Sequence, residues 1–129
     1  MPDDSLITEQ LLRALARKES GNNPAALGDR GLAQPAYGRF QMRRPAYQDV
    51  VQRRSEFAGI PFEKVQRDAE LQETFARAYL SVLANEYGLS ELDDLLAGYN
   101  AGPTAVRRGK IPSQTLRYIE DVKRLMQER

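Results

Sequence analysis

The chain contains neither cysteine nor histidine, so any chemistry it performs must come from carboxylates, hydroxyls, amides, lysine or arginine. Thiol nucleophiles, zinc clusters, Ser-His-Asp triads and imidazole acid/base catalysis are excluded together. Among the remaining groups Glu19 stands out by position. It closes a run of helical periodicity and is followed at once by Ser20-Gly21-Asn22-Asn23-Pro24, a stretch that must leave a helix. Leu12, Leu15 and Ala16 precede it at helical spacings that share its face, so its side chain is expected to point inward with the apolar stripe. Desolvation there disfavours the ionised form and would raise the carboxyl from about 4.3 toward neutrality, where it still holds a proton to donate. By position alone Glu19 is a candidate general acid or, as most helix-end glutamates are, an ordinary exposed carboxylate.

Other polar groups gather in two short segments. Gln41 lies between Phe40 and Met42, and an amide between apolar neighbours needs a partner once buried. Tyr99-Asn100 precedes Ala101-Gly102-Pro103, and Tyr118 follows later. Tyrosine rings offer apolar faces with a polar tip, or simply pack in a core with a satisfied hydroxyl. Asn100 either binds a ligand or turns the chain before Gly102.

The elements that must position these groups read as helices. The first starts near Ser5 or Thr8 and runs through Leu11, Leu12 and Leu15 to about Glu19. Four glycines and two prolines between Gly21 and Gly38 predict a long ordered loop, with at most a small β-ribbon in the 25–43 region. A second helix opens at Pro45 and continues toward Gly59-Ile60-Pro61. The longest runs from near Asp68 to Tyr87, with Leu71, Phe75, Tyr79, Val82 and Leu83 on its apolar side and Gly88 as its stop. Ser90 reads as the cap of a shorter helix with Leu92, Leu95, Leu96 and Tyr99, interrupted by Asn100-Ala101-Gly102-Pro103. A brief turn from Pro103 through Val106 closes at Gly109. The last helix begins after Pro112, capped by Ser113, with Leu116, Ile119, Val122, Leu125 and Met126 along one stripe. The fold class is therefore mainly α.

At 129 residues the chain reads as a single domain, 1–129, large enough to bury a core without disulfides or metal. Nineteen basic and eighteen acidic residues leave a net charge of +1, which favours neither nucleic acid nor a membrane surface as partner. Local charge is less even: Arg39, Arg43 and Arg44 form one basic cluster and Arg107, Arg108 and Lys110 another. Each is either a solvated surface or the rim of a site for an anionic substrate. No apolar run approaches a membrane span, and Met1-Pro2-Asp3-Asp4 lacks the pattern of a signal peptide.

Three segments then line up in order: Glu19-Ser20-Gly21, Gly38-Arg39-Phe40-Gln41-Met42, and Gly98-Tyr99-Asn100-Ala101-Gly102-Pro103, followed by Ile111-Pro112 and Tyr118. Each motif is weak alone, but their order and spacing are specific. Together they resemble the catalytic domain of soluble lytic transglycosylases, a branch of the lysozyme-like superfamily, over Glu19 to Tyr118. The resemblance implies a lysozyme-like helical domain with Glu19 as the sole catalytic acid/base and no metal or cofactor. It implies a cleft for peptidoglycan glycan strands, lined by Ser20, Gln41, Tyr99 and Asn100, with Tyr118 close enough to hydrogen-bond near the glutamate. It places the protein outside the cytoplasm, in periplasm or cell wall, or on a phage; a monomer is the default.

Two departures bear on the reaction. Where soluble transglycosylases usually carry G-L-M-Q, this chain has Gly38-Arg39-Phe40-Gln41, and the preceding Gly28-Asp29-Arg30-Gly31 is similar to the GDRG of goose-type lysozymes. Asp29 is thus a candidate second carboxylate that would help to position water, or a turn residue bonding its own backbone before Gly31. Arg43 stands where goose-type enzymes have an acidic residue. The expected activity is a lytic transglycosylase forming 1,6-anhydro-N-acetylmuramic acid; the alternatives are a muramidase using Glu19 and Asp29, and a catalytically silent glycan-binding module.

Overall fold

The computed structural model describes residues 2–28 and 34–128. The first helix, α1, spans Glu9–Ser20. Thr8 caps it by accepting from the Leu11 N–H at 3.1 Å, which settles the choice between Ser5 and Thr8. Gly21, in the left-handed region, ends it. The glycine-rich loop that follows carries one antiparallel ribbon, β1 (Leu27–Gly28) on β2 (Ala36–Tyr37), with Leu27 opposite Tyr37 and Gly28 opposite Ala36. Tyr37 also bridges Met42, folding residues 38–41 into a tight turn.

Helix α2 spans Arg44–Arg53 with Pro45 in its first turn. It stops earlier than its apolar pattern predicts: Arg54 turns extended, and a separate 3₁₀ turn, Ser55–Phe57, leads to Gly59. A short helix that the sequence reading lacked, α3 (Phe62–Arg67), follows Pro61; burial of Phe62 and Val65 holds it in place. Asp68 then caps α4 (Ala69–Asn85), its Oδ1 accepting from Glu70 N at 2.9 Å and Leu71 N at 3.1 Å.

Helix α4 is the centre of the molecule. Phe75, Ala76, Leu80, Val82 and Leu83 are inaccessible to solvent and form one broad apolar face, while Glu70, Glu73, Thr74 and Arg77 occupy the opposite, solvent-facing side. It packs on α2, α3, α1 and α5 (Leu92–Ala101). Gly98 makes room for the loop that joins α4 to α5: a Cβ there would lie 2.5 Å from Leu89 Cδ1. Helix α5 does not break at Asn100 as expected. It continues through Ala101 to Gly102, and its N-cap is Glu91, not Ser90. Helix α6 (Pro103–Arg107) turns the chain toward α7 (Ser113–Gln127), which packs on α1 and α5.

Ser113 is the first residue of α7, and Pro112 occupies the cap position. The buried arc of α7 is Thr115, Tyr118, Ile119 and Val122, while Leu116 is 54% exposed. Leu116 falls off the expected stripe because the groups that dock against α5 and α1 are Thr115 and Tyr118, one turn apart, and they set the rotation of the helix. Lys18 bonds Asp121 at 2.9 Å and thereby ties α1 to α7. The mainly helical domain with one small ribbon is as the sequence predicts.

Candidate functional site

Glu19 lies in the last turn of α1, on the face carrying Leu12, Leu15 and Ala16, each no more than 1% exposed. Its own side chain is half-buried. Tyr118, one side of the buried arc of α7, donates its hydroxyl to Glu19 Oε2 at 2.6 Å, joining residues 99 positions apart. Burial, then the charge of Glu19, push the Tyr118 phenol well above its ordinary value of 10.0. Tyr118 therefore keeps its proton and acts as a donor toward the carboxyl throughout the working range of a protein.

The carboxyl opens on a cavity of about 120 Å³ walled by Glu19, Ala36, Gln41, Arg43, Tyr99 and Asn100. A neighbouring hollow of about 210 Å³ shares Gln41, Arg43, Tyr99 and Asn100 and extends over Met42 and Pro45. On the other side of Asn100 a third, of about 340 Å³, is bounded by Tyr118, Gln114, Arg117 and Lys18. Asn100 borders all three, and Glu19 lines the first.

Each wall residue is fixed by its element. Tyr99 donates to Phe40 O at 2.8 Å and packs its ring against Tyr79. Its phenol is held well above the ordinary range by burial and by the Glu19 charge. Asn100, in the final turn of α5, accepts at Oδ1 from the buried Thr115 hydroxyl at 2.7 Å, which aims its N–H₂ away from α7. Gln41 adopts φ 51°, a left-handed conformation that costs a non-glycine residue about 1–2 kcal/mol. Its Nε2 donates to Gly38 O at 3.0 Å and approaches Ala26 O at 3.5 Å, so the strained residue stitches the turn to the ribbon.

The structure brings Glu19, Gln41, Tyr99, Asn100 and Tyr118 together. Ser20 it uses otherwise: the hydroxyl donates to Arg39 O at 2.7 Å and accepts from Asn23 N at 3.0 Å, holding the loop rather than lining the cavity. Asp29, with most of the GDRG segment, lies outside the described residues. The two basic clusters separate. Arg43 lines the cavity, whereas Arg39 is drawn to Asn22 and Glu73 and Arg44 to Glu63. Arg107, Arg108 and Lys110 are exposed and border none of the three hollows.

Two residues of consequence escaped the sequence reading. Thr115 orients Asn100, and Gln72, 4% exposed, lies beneath the 38–41 turn. Gln72 precedes Phe75, Ala76 and Tyr79 by three, four and seven positions. A polar residue set on the buried stripe of a helix was the available signal.

Chemically the arrangement offers one carboxyl with a permanent phenolic donor on one oxygen. Around it are amides and hydroxyls of mixed donor and acceptor character, suited to a ligand rich in hydroxyl and amide groups. No curated protein and no solved structure matches the chain. The family model described as the transglycosylase SLT domain matches residues 3–121, a span that contains every group of this site. With that match over nearly its whole length, and with the helical scaffold and carboxyl-centred hollow described above, the chain belongs to the transglycosylase SLT domain family.

Proposed function

We propose that this domain is a lytic transglycosylase that cleaves the β-1,4 bond between N-acetylmuramic acid and N-acetylglucosamine in peptidoglycan strands, with Glu19 as acid and then base. Family membership supports a peptidoglycan substrate. The observation that carries the residue assignment is the 2.6 Å bond from Tyr118 to Glu19 Oε2 at the edge of a cavity that Gln41, Tyr99 and Asn100 complete.

The first step needs a neutral carboxyl. In this reading Oε2 accepts from Tyr118, and the proton held by the Glu19 carboxyl passes to the glycosidic oxygen as the C1–O4 bond breaks. The carboxylate so formed is stabilised by the Tyr118 hydroxyl, a donor to a charged acceptor. Positive charge developing at C1 of the muramoyl unit is met by its own acetamido oxygen, as in other substrate-assisted glycosidases. The Glu19 carboxylate then takes the proton of the C6 hydroxyl, whose oxygen attacks C1 and closes the 1,6-anhydro ring. The nucleophile belongs to the substrate, so a second carboxylate to hold water is not required. In this reading Asn100, whose Oδ1 is engaged by Thr115, and Gln41, which lines the same cavity, bond acetamido and hydroxyl groups of the strand. A substrate of this kind places the site of action outside the cytoplasm.

Mass analysis of products released from purified peptidoglycan tests the proposal. Wild type is expected to yield muropeptides lighter by one water than hydrolysis products, and Glu19→Gln to lose about 10²- to 10⁴-fold in rate with the fold intact. Reducing-end products would instead assign a muramidase, and undiminished release by Glu19→Gln would remove Glu19 from the chemistry.

A further inference from the structure

We propose that Gln72 is a positioning residue for this site, acting on Gln41 through the single peptide plane between Gly38 and Arg39. The inference rests on the reading of the Glu19 cavity as a glycan site only for its effect on rate; the geometry itself is independent of that reading.

One face of that plane is the Arg39 N–H, which donates to Gln72 Oε1 at 2.9 Å. The other is the Gly38 carbonyl, which accepts from Gln41 Nε2 at 3.0 Å and from Gln41 N at 3.2 Å. Gln72 and Gln41 therefore hold opposite ends of one rigid amide. If the plane rotates, Gln41 loses both bonds to Gly38 O, and with them the anchor of a residue already in the left-handed region. The neighbouring carbonyls are held by other helices: Arg39 O by Ser20 of α1 and Phe40 O by Tyr99 of α5. Gln72 supplies what neither does, an acceptor for the N–H side.

The orientation of the Gln72 amide is determined by its surroundings. Nε2 faces three carbonyls, Pro24 O at 3.1 Å, Val65 O at 3.1 Å and Gln66 O at 3.2 Å. A flipped amide would set its oxygen against all three and leave the Arg39 N–H facing a donor, so only one orientation is allowed. Gly38 leaves the room: a Cβ there would lie 2.4–2.8 Å from the carboxamide atoms, and φ is +79°. An apolar side chain of similar size would fill the same space beneath the turn but would hold neither the peptide nor the Pro24 loop.

The test combines kinetics with amide hydrogen exchange on Gln72→Leu, Gln72→Glu, Gln41→Ala and the double variant Gln72→Leu/Gln41→Ala. For Gln72→Leu the expected result is a kcat lower by about 10- to 100-fold, KM within about threefold, and lost protection at the Arg39 and Gln41 amides. The double variant is expected within about twofold of Gln41→Ala, because both changes remove one function. Gln72→Glu places a carboxylate against three carbonyls when ionised and one donor when protonated, so its activity relative to wild type is expected to recover as pH falls. If Gln72→Leu does not fold, this recovery together with a parallel return of protection at the Arg39 and Gln41 amides of Gln72→Glu decides. Wild-type kcat in Gln72→Leu, multiplying losses in the double variant, or a Gln72→Glu profile parallel to wild type would each overturn the proposal. Should wild type release no anhydro products, the functional reading fails. Exchange at Arg39 and Gln41 still decides whether Gln72 fixes the turn.

Discussion

Replacing Tyr118 by phenylalanine removes one hydroxyl and keeps the ring. The oxygen lost is the donor 2.6 Å from Glu19 Oε2, on a side chain that is 6% exposed. A hydrogen bond to a charged acceptor contributes about 1.5–3 kcal/mol; because Glu19 is half-buried and partly screened by water, the lower end applies, about 1.5 kcal/mol. The bond favours the carboxylate over the acid. Its loss makes the carboxyl harder to ionise, because the ionised form is the one the bond favours. The acid form then persists to higher pH, so the basic limb of the rate profile moves up. The plateau rate falls by about tenfold, because the carboxylate produced on proton donation has lost its partner. Tyr118 itself ionises only well above 10.0, so no tyrosine limb intrudes on the wild-type profile at lower pH. The assay is the initial rate of release of soluble products from peptidoglycan across pH for both proteins. Thermal unfolding serves as control and is expected to differ by less than about 1 kcal/mol. Superimposed profiles with equal plateaus would refute the coupling of Tyr118 to the acid.

Thr115→Val keeps the volume of a residue that is 1% exposed but frees Asn100 Oδ1, which water can then satisfy. Stability should change by less than about 1 kcal/mol, while product release falls by about fivefold, the equivalent of one neutral hydrogen bond; equal rates would show that the Asn100 orientation is immaterial. The bond from Lys18, and secondarily Arg124, holds the Asp121 carboxyl below its ordinary value of 3.8. A lowered native value means that this link between α1 and α7 stabilises the fold above about pH 3.8 and is lost as pH falls further. Thermal midpoints measured at neutral pH and below that value should therefore drop less in Asp121→Asn than in wild type, and an equal drop would assign the acid sensitivity elsewhere.

Much of the scaffold was legible because its signals are local. Apolar spacing of three and four located α1, α4, α5 and α7, and Thr8, Asp68 and Gly21 marked ends through capping chemistry confined to a few residues, whereas α4 stops at Asn85 with Glu86 as its cap, ahead of the Gly88 stop the sequence suggests. The misjudged elements show where locality fails. Helix α3 is only six residues long and exists because Phe62 and Val65 enter the core. Leu116 matched the apolar stripe yet faces solvent, since contacts from α1 and α5 chose the rotation of α7.

The site divides in the same way. Residue type and local pattern mark Glu19 and Gln41, because carboxyl and amide chemistry is a property of the side chain itself, while the order of motifs that resembles lytic transglycosylases adds Ser20, Tyr99, Asn100 and Tyr118, and the GDRG segment adds Asp29. Which oxygen of Glu19 accepts the hydrogen bond from Tyr118, that Ser20 serves the loop, and that Thr115 and Gln72 aim their neighbours were decided by tertiary packing. Those bonds join residues 15 to 99 positions apart. A hydrogen bond has a range of about 3 Å and a strict direction, so its partner is set only when whole helices have docked.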